Sequence, residues 1–431
     1  DPKIQDSSTK VRTILDLLES GVTSASTTRH RSILPRSTDA ISDALELASD
    51  LNSDEIILAL VIDLQDAYWM IPLKWEERRF CIAKWQGKYI IFRRIAQGSR
   101  GGPLAYASIA SVMIRCVQSL FLAPAGRRRQ TLEELRLQLY VDDPLALARG
   151  TPLRCRRLFS IFLLALQILG PPLAWHKASW GKQVTWAGIE YTFNEQAVIV
   201  TVPEDKLQDM RILTDNIKKH NVISTAALRT YIGKVQSISS LLYALRPFLS
   251  YLWAALQAPP DGAPPGHTWT TRIAHALDWL ACFLHHHGEG PLIIIFHVKS
   301  SFSSYQRMRI GTDASPFGLG GWIELDGVIL GYFSDEVQQH DLKRFGIKIG
   351  QPESQQILEC LAALVAMRLW LPLWRQERIS LTVRADNYTV LAMVSRMKAK
   401  TDALRIIACE MALLLADSCY MPWVAEHTPG I

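Results

Sequence analysis

The alternation of apolar and polar positions predicts short strands separated by helices. Apolar runs at 57–64, 88–95 and 136–141 have the length of strands, and helical segments at 103–122 and 153–169 separate the later ones. An earlier helix is predicted from Thr38 or Asp39, either of which can cap it, through Ala48. This alternation of short strands with helices favours an α+β or α/β fold.

The second half of the chain changes pattern at recognisable breakers. A hairpin is predicted over 184–202, followed by helical spacing from 204 to 257 and a Pro/Gly cluster at 258–266. One further helix is expected over about 270–287. A new strand series then begins at 292–296 and continues through 308–312 and 320–324. We therefore predict four regions: 1–202, 203–257, 258–302 as linker and connection, and 303–431.

Composition narrows the class of protein only modestly. The chain has 431 residues, 48% of them hydrophobic and 20% charged, which describes a globular protein of two or three domains. A net charge of +6 fits a polyanionic partner but is weak support for one. Seven singly placed cysteines indicate no disulfide framework and favour an intracellular location, cytoplasmic or nuclear. The longest apolar run, Leu158–Leu169, is too short to span a bilayer, so no membrane partner is expected.

Acidic residues stand at the ends of two apolar runs in the first half. Asp63 ends one run, and Asp142 and Asp143 end another just before Pro144. Neighbouring strand residues point to opposite faces, so the paired acids need a tight turn to act together. Clustered carboxylates raise one another's pKa unless a cation neutralises them. Oxygen ligands without His or Cys favour Mg²⁺, and paired Mg²⁺ ions on shared carboxylates are typical of nucleotidyl transfer.

The order of the motifs resembles that of a retroelement reverse transcriptase, of the LTR or DIRS-like retrotransposon type. The matching residues, in family order, are Arg12, Asp63 with Ala67 and Tyr68, Gln97 with Gly98, the Tyr140-Val141-Asp142-Asp143 box, Lys177, and Trp186 with Gly188. The resemblance implies a right-hand polymerase: fingers and palm over 1–202 and a helical thumb-like region over 203–257.

The resemblance also implies a role for each motif. Asp63 and Asp142 would be the ligands that two metal ions share, with Asp143 nearer to solvent. Tyr68 would exclude the sugar 2′-hydroxyl. The remaining roles are nucleotide contact by Gln97 beside Gly98, triphosphate binding by Arg12, protonation of departing pyrophosphate by Lys177, and grip on the primer end by the hairpin of Trp186 and Gly188.

A second set of acids lies in the last region. Asp313 and Asp386 each end an apolar strand, and Glu359 lies on an amphipathic helix over 355–369. This pattern resembles the α/β ribonuclease H domain of retroelements, in which Asp313, Glu359 and Asp386 would hold two Mg²⁺ ions. Glu353 is a rival to Glu359. The family's last catalytic acid would lie just past Ile431, so the chain is interpreted as a polyprotein fragment whose nuclease domain is truncated.

Together these motifs predict an RNA-directed DNA polymerase with an attached ribonuclease H domain. Its expected cofactors are two Mg²⁺ ions per active site, with Mn²⁺ as a substitute. Its expected partners are an RNA or DNA template, a nucleic-acid primer, deoxynucleoside triphosphates and RNA–DNA hybrid. A decayed or co-opted remnant that binds nucleic acid without catalysis is the alternative. A second alternative is an RNA-synthesising polymerase, which Tyr68 and the trailing nuclease domain disfavour.

Overall fold

A computed structural model describes residues 15, 17–27, 30, 32–121, 134–239, 242–257, 262–286, 292–298, 307–374, 380–399, 401–416 and 423–428. The chain divides into two compact units, Asp1–Ala187 and Gly188–Ile431, which are described separately below. The predicted mixture of helix and sheet is confirmed. The division into fingers, palm, thumb and nuclease regions stays a prediction.

The first unit is built around a four-stranded sheet with the strand order β4-β5-β1-β6. Its strands are β1 (Ile56–Val61), β2 (Ile82–Trp85), β3 (Lys88–Ile91), β4 (Leu135–Tyr140), β5 (Asp143–Gly150), β6 (Ser179–Gly181) and β7 (Gln183–Trp186). Its helices are α1 (Val22–Ala25), α2 (Ser37–Ala48), α3 (Gly102–Ser119) and α4 (Pro152–Leu169). Strands β2 and β3 form a separate two-stranded hairpin.

The burial of β1 explains its continuous apolar sequence. It lies between β5 and β6 and contacts both α2 and α4, so nearly every residue is buried. Leu60 packs in one core cluster with Phe162 of α4. Helix α2 is capped differently from the prediction: Arg36 is the N-cap residue, and Asp39 accepts a hydrogen bond from its backbone N–H at 2.7 Å.

The second unit contains two sheets and a set of helices. Strands β8 (Ile189–Phe193), β9 (Ala197–Thr201) and β12 (Ile293–His297) pair in the order β12-β9-β8, and β10 (Val222–Ser224) pairs with β11 (His267–Trp269). Helices α5 (Glu204–Lys218), α6 (Thr225–Ser239), α7 (Arg246–Gln257) and α8 (Ala274–Leu284) lie between β9 and β12 in the chain.

A five-stranded sheet with the order β15-β14-β13-β16-β17 follows. Its strands are β13 (Arg307–Ala314), β14 (Gly318–Leu325), β15 (Val328–Glu336), β16 (Ser380–Ala385) and β17 (Trp423–His427). The helices here are α9 (Gln339–Phe345), α10 (Pro352–Trp370), α11 (Tyr388–Arg396) and α12 (Asp402–Ala416). Residues Ser354–Leu373, largely α10, are long and apolar enough to cross a membrane by length and composition alone, but 56% of the most apolar 18-residue part is buried within the structure.

Two turns differ from the sequence predictions. The predicted strand through Val184 and Ile189 is interrupted at Ala187 and Gly188, whose φ values of 49° and 79° are left-handed. The predicted strand 88–95 ends at Ile91, since the chain then returns to the body of the unit. Periodicity missed the turn at Ala187 and Gly188 because a two-residue turn leaves the apolar alternation on either side almost unchanged.

Candidate active sites

The paired acids lie on a tight hairpin, as predicted. The register pairs Tyr140 with Asp143, so Val141 and Asp142 form a two-residue turn between β4 and β5. Val141 has a φ of 56°, a left-handed conformation that a β-branched residue rarely adopts. Pro144 lies within β5 opposite Leu139 rather than in the turn itself. The turn therefore stores backbone strain at the point where it presents the acids.

Asp63 reaches the same place from the adjacent strand. Strand β1 pairs with β5 up to Val61 and Leu145, and the next residues continue the contact through Leu64 N–H, which donates to the Asp142 carbonyl at 2.7 Å. The carboxylate oxygens of Asp63, Asp142 and Asp143 consequently lie within 4.8 Å of one another. Two segments about 80 residues apart in sequence thus build one acidic cluster.

Burial and the close approach of the three acids raise the pKa of one of them. Burial, together with the charges of Asp142 and Asp63, raises the pKa of Asp143 to about 6, and Lys177 partly opposes this rise. Lys177 donates a hydrogen bond to Asp63, which raises the pKa of the lysine. The three carboxylates form a set of hard oxygen ligands that fits divalent cations such as Mg²⁺.

Trp186 packs against the β4–β5 hairpin that carries Asp142 and Asp143. Its indole N–H donates to the backbone carbonyl of Asp143 at 2.8 Å, and its ring meets Tyr140 edge-on at 6.1 Å between centroids. The side chain is only 1% exposed, so it contacts protein rather than solvent. Gly188 begins the second unit, where its carbonyl accepts from Lys206 at 3.1 Å. The primer-grip role of this hairpin stays a prediction.

Tyr68 packs against a tyrosine that the sequence analysis missed. Tyr68 lies in the 3₁₀ turn Ala67–Met70, with its ring centroid 5.5 Å from that of Tyr106 on α3. Tyr106 is 2% exposed, and its hydroxyl has no hydrogen-bond partner among the described residues. Burial, followed by the charge of Asp142, raises its pKa. Its place on the buried face of α3, with Ala110 and Ile114, was the available signal.

The predicted nucleotide-binding residues are only partly described. The Gln97 carbonyl accepts from Leu15 N–H at 3.0 Å, and Gly98 has a φ of 101°, which suits glycine. Arg12 lies outside the described residues. The proposed contacts of these residues with a nucleotide stay predictions.

The second predicted set of acids also converges. Strands β13 and β16 are parallel, with Gly311 opposite Arg384. Asp313 and Asp386, each two residues further on, therefore lie side by side at the carboxyl ends of the two strands. Glu359 on α10 completes the group, and the carboxylate oxygens of all three lie within 4.8 Å of one another. Asp313 and Asp386 are exposed, whereas Glu359 is 4% exposed.

Glu359 is held in a way that leaves one oxygen for a cation. Its Oε1 accepts from Gln355 at 2.9 Å, while its buried Oε2 has no partner among the described residues. Burial raises the pKa of Glu359 to about 7, and the charges of Asp313 and Asp386 add to the rise. A buried oxygen without a partner is costly, and a bound cation would remove that cost. The rival Glu353 has a side chain outside the described set.

Two further residues at this cluster were not predicted. Gln355 also donates to the Ala314 carbonyl, so it ties Glu359 to the end of β13. His427 places Nε2 3.1 Å from the Asp386 carbonyl, and its ring stacks on Tyr388 at 4.6 Å. The spacing of Gln355 and Glu359, four residues apart on one helix, was the signal for the first contact.

Comparisons with known proteins give distant structural likenesses only. No protein-family model matches the chain, and no curated protein is significantly similar in sequence. A foamy viral protease–reverse transcriptase in complex with double-stranded DNA is 14% identical with a TM-score of 0.47, over 97% of this chain and 63% of that one. The same type of protein with an RNA/DNA hybrid is 13% identical with a TM-score of 0.42, over 90% of this chain and 46% of that one. Scores and identities this low establish neither a shared fold nor a function.

Proposed function

We propose that the chain is a magnesium-dependent, RNA-directed DNA polymerase of an LTR or DIRS-like retrotransposon, with an attached ribonuclease H domain. The observation that supports the first activity is the convergence of the Asp63, Asp142 and Asp143 carboxylates within 4.8 Å. The order of the sequence motifs around those acids supports the choice of nucleotidyl transfer among the reactions that paired metals assist.

Asp63, Asp142 and Asp143 would hold two Mg²⁺ ions, or Mn²⁺ in their place. Such ions, when bound, supply charge neutralisation for the reacting phosphate oxygens and activation of the primer hydroxyl. In the reaction the primer 3′-oxygen bonds to the α-phosphorus of a deoxynucleotide, and the bond to the departing pyrophosphate breaks. Lys177, which contacts Asp63, would give that pyrophosphate a proton. Tyr68, fixed on Tyr106, would close the sugar 2′ side.

The second activity is supported by the Asp313, Glu359 and Asp386 cluster. These residues would hold the cations of a ribonuclease H that cleaves the RNA strand of RNA–DNA hybrid. Gln355 positions the Glu359 carboxylate through its hydrogen bond.

A primer-extension assay on an RNA template tests the polymerase proposal. The wild type should extend with deoxynucleotides in preference to ribonucleotides, and Asp142→Asn should lose about 10²- to 10³-fold or more in rate. Asp54→Asn is the matched control, since Asp54 is an exposed acid of the same unit. Equal activity of Asp142→Asn and wild type contradicts the proposal. Nucleic-acid binding with no extension by the wild type supports the co-opted remnant instead.

A further inference from the structure

The β2–β3 hairpin and the 3₁₀ turn Trp75–Phe80 before it expose large apolar side chains. Trp75, Trp85 and Tyr89 are 77%, 66% and 71% exposed, and Ile90 and Ile91 are exposed beside them. Gln86 and Gly87 both have positive φ values, which gives the tight turn that two-residue hairpins favour. Large apolar side chains exposed close together in the chain commonly mark a binding surface. We call Trp75–Ile91 the aromatic hairpin.

The aromatic hairpin lies in the most basic part of the chain. Residues 74–94 contain seven Lys or Arg and two Glu, a net charge of +5, against +6 for all 431 residues. Such a local excess attracts polyanions and disfavours a second copy of the same surface, which would bring like charges together.

Cations and rings alternate across the hairpin. The register pairs Lys84 with Tyr89 and Trp85 with Lys88, so each face carries one aromatic ring and one lysine side by side. Lys84 Nζ lies 5.9 Å from the Tyr89 ring centroid. Nearby, the Arg78 guanidinium lies 5.1 Å from the Trp75 ring. A ring next to an ammonium group suits a nucleotide, whose base can stack while its phosphate meets the charge.

The hairpin is attached directly to the turn that carries Tyr68. Leu73 N–H donates to the Arg93 carbonyl at 2.9 Å, and Ile95 N–H donates to the Ile71 carbonyl at 2.9 Å. The Arg94 guanidinium closes this base by donating to the Trp69 and Met70 carbonyls at 3.1 and 2.9 Å. The aromatic hairpin is therefore fixed at its base to the 3₁₀ turn that follows Asp63 in the chain.

We propose that the aromatic hairpin binds single-stranded nucleic acid, as the unpaired template strand at the polymerase site. The template assignment rests on the proposed function, whereas binding of a single strand does not. The bases of a duplex are already stacked and paired, so the exposed rings fit an unpaired strand better. On one face of the hairpin Trp85 stacks on a base and Lys88 contacts a phosphate, and on the opposite face Tyr89 and Lys84 do the same.

Fluorescence anisotropy of a labelled single-stranded oligonucleotide, in chelator, tests the binding without requiring catalysis. The double variant Trp85→Ala with Tyr89→Ala should weaken binding by about 30-fold or more, since it removes two rings and each stacked base contributes about 5-fold or more. The double variant Trp85→Phe with Tyr89→Phe should restore most of the affinity. Tyr332→Ala, on an exposed residue of the second unit, is the control. Unchanged binding by the alanine variant overturns the proposal.

A second pair of variants probes the phosphate contacts. Lys84→Gln with Lys88→Gln should reduce the slope of log affinity against log salt by about 1.4, because each lost single-strand phosphate contact removes about 0.7. An unchanged slope contradicts the assigned contacts. If the alanine variant instead changes the sedimentation of the protein alone, the surface binds a second copy and the proposal is wrong.

Extension assays then separate this inference from the polymerase proposal. On a primer–template with a one-nucleotide overhang the alanine variant should match wild type, and on a long overhang it should have a higher KM for the template. Absence of extension by the wild type on both substrates contradicts the polymerase proposal only. Equal KM values on the long overhang, with extension intact, contradict the template assignment only.

Discussion

Lys177 donates a hydrogen bond to the carboxylate of Asp63, 114 residues away in sequence. The ammonium group thereby occupies the position beside Asp63 that a bound metal ion would also occupy. The lysine side chain is half exposed, so it can leave the acid without losing solvation. In the metal-free protein it partly neutralises the three carboxylates. Metal binding and the lysine contact are therefore expected to compete.

Lys177→Met should accordingly tighten Mg²⁺ binding while slowing extension. An exposed ion pair of this kind is worth up to about 1 kcal/mol, so its removal should make the free energy of Mg²⁺ binding more favourable by that amount at most. This corresponds to about a 1.5- to 5-fold gain in Mg²⁺ affinity. Loss of the general acid should lower the extension rate by about 10²-fold or more. Calorimetric Mg²⁺ titration measures the first effect, with Lys182→Met, an exposed neighbour, as the control. Weaker Mg²⁺ binding by Lys177→Met contradicts the competition.

The pKa of Asp143 predicts how stability depends on pH. It is about 6 in the folded protein against an ordinary 3.8, so the folded state binds more protons between these values. The group therefore stabilises the fold at low pH, and this contribution is lost as the pH rises to about 6. Asp143→Asn in chelator should raise Tm near neutral pH by about 2–4 °C, if the screened repulsion is worth about 1 kcal/mol.

The same experiment has two internal checks. The difference in Tm between Asp143→Asn and wild type should shrink as the pH falls toward about 4, where both residues are neutral. Saturating Mg²⁺ should stabilise the wild type and not the variant, because the carboxylate is then a ligand. A Tm difference that does not vary with pH excludes Asp143 as its source.

Two substitutions at Tyr106 distinguish the contribution of its ring packing from that of its hydroxyl group. Tyr106→Phe removes a buried hydroxyl that has no partner among the described residues, so the free energy of unfolding should rise or stay unchanged. Tyr106→Ala leaves a cavity beneath Tyr68 and should lower that free energy by about 3–5 kcal/mol. Urea unfolding measures both. Destabilisation of Tyr106→Phe by more than about 1 kcal/mol indicates a bound partner for the hydroxyl, such as water.

The same two variants address sugar selection. With Phe at position 106 the ring contact to Tyr68 is kept, so preference for deoxynucleotides should be unchanged. With Ala the support is lost, and ribonucleotide incorporation should increase relative to deoxynucleotide incorporation. Equal selectivity of all three proteins contradicts the role assigned to Tyr68.

The two acidic clusters lie in different units, so a substitution in one cluster should remove its own activity and leave the other activity unchanged. Asp142→Asn should abolish extension and leave hybrid cleavage intact, whereas Glu359→Gln should do the reverse. Glu359→Gln preserves the size of the buried side chain, so misfolding is not expected to confuse the result. A labelled RNA–DNA hybrid with a recessed primer reports both activities at once. Loss of both activities in one variant contradicts two separate sites.

The sequence by itself determined which residues end the strands and therefore which acids could meet. Period-two and helical spacing predicted β1, β4, α3, α4 and α10 closely, because the burial of one face imposes a pattern on each segment. The turn that brings Asp142 and Asp143 together was also predictable, since adjacent carboxylates on a flat strand would diverge. These are local properties that a short stretch of chain specifies.

Only the tertiary structure decided the partners of those acids. Three contacts each join segments distant in sequence: that of Lys177 with Asp63, that of Trp186 with Asp143, and that of the Tyr68 ring with Tyr106. Strand register and helix docking set these distances, and a shift of one residue would turn the side chains to the other face. A short stretch of sequence is therefore enough to identify the acids. Their charge balance depends on how the strands and helices pack.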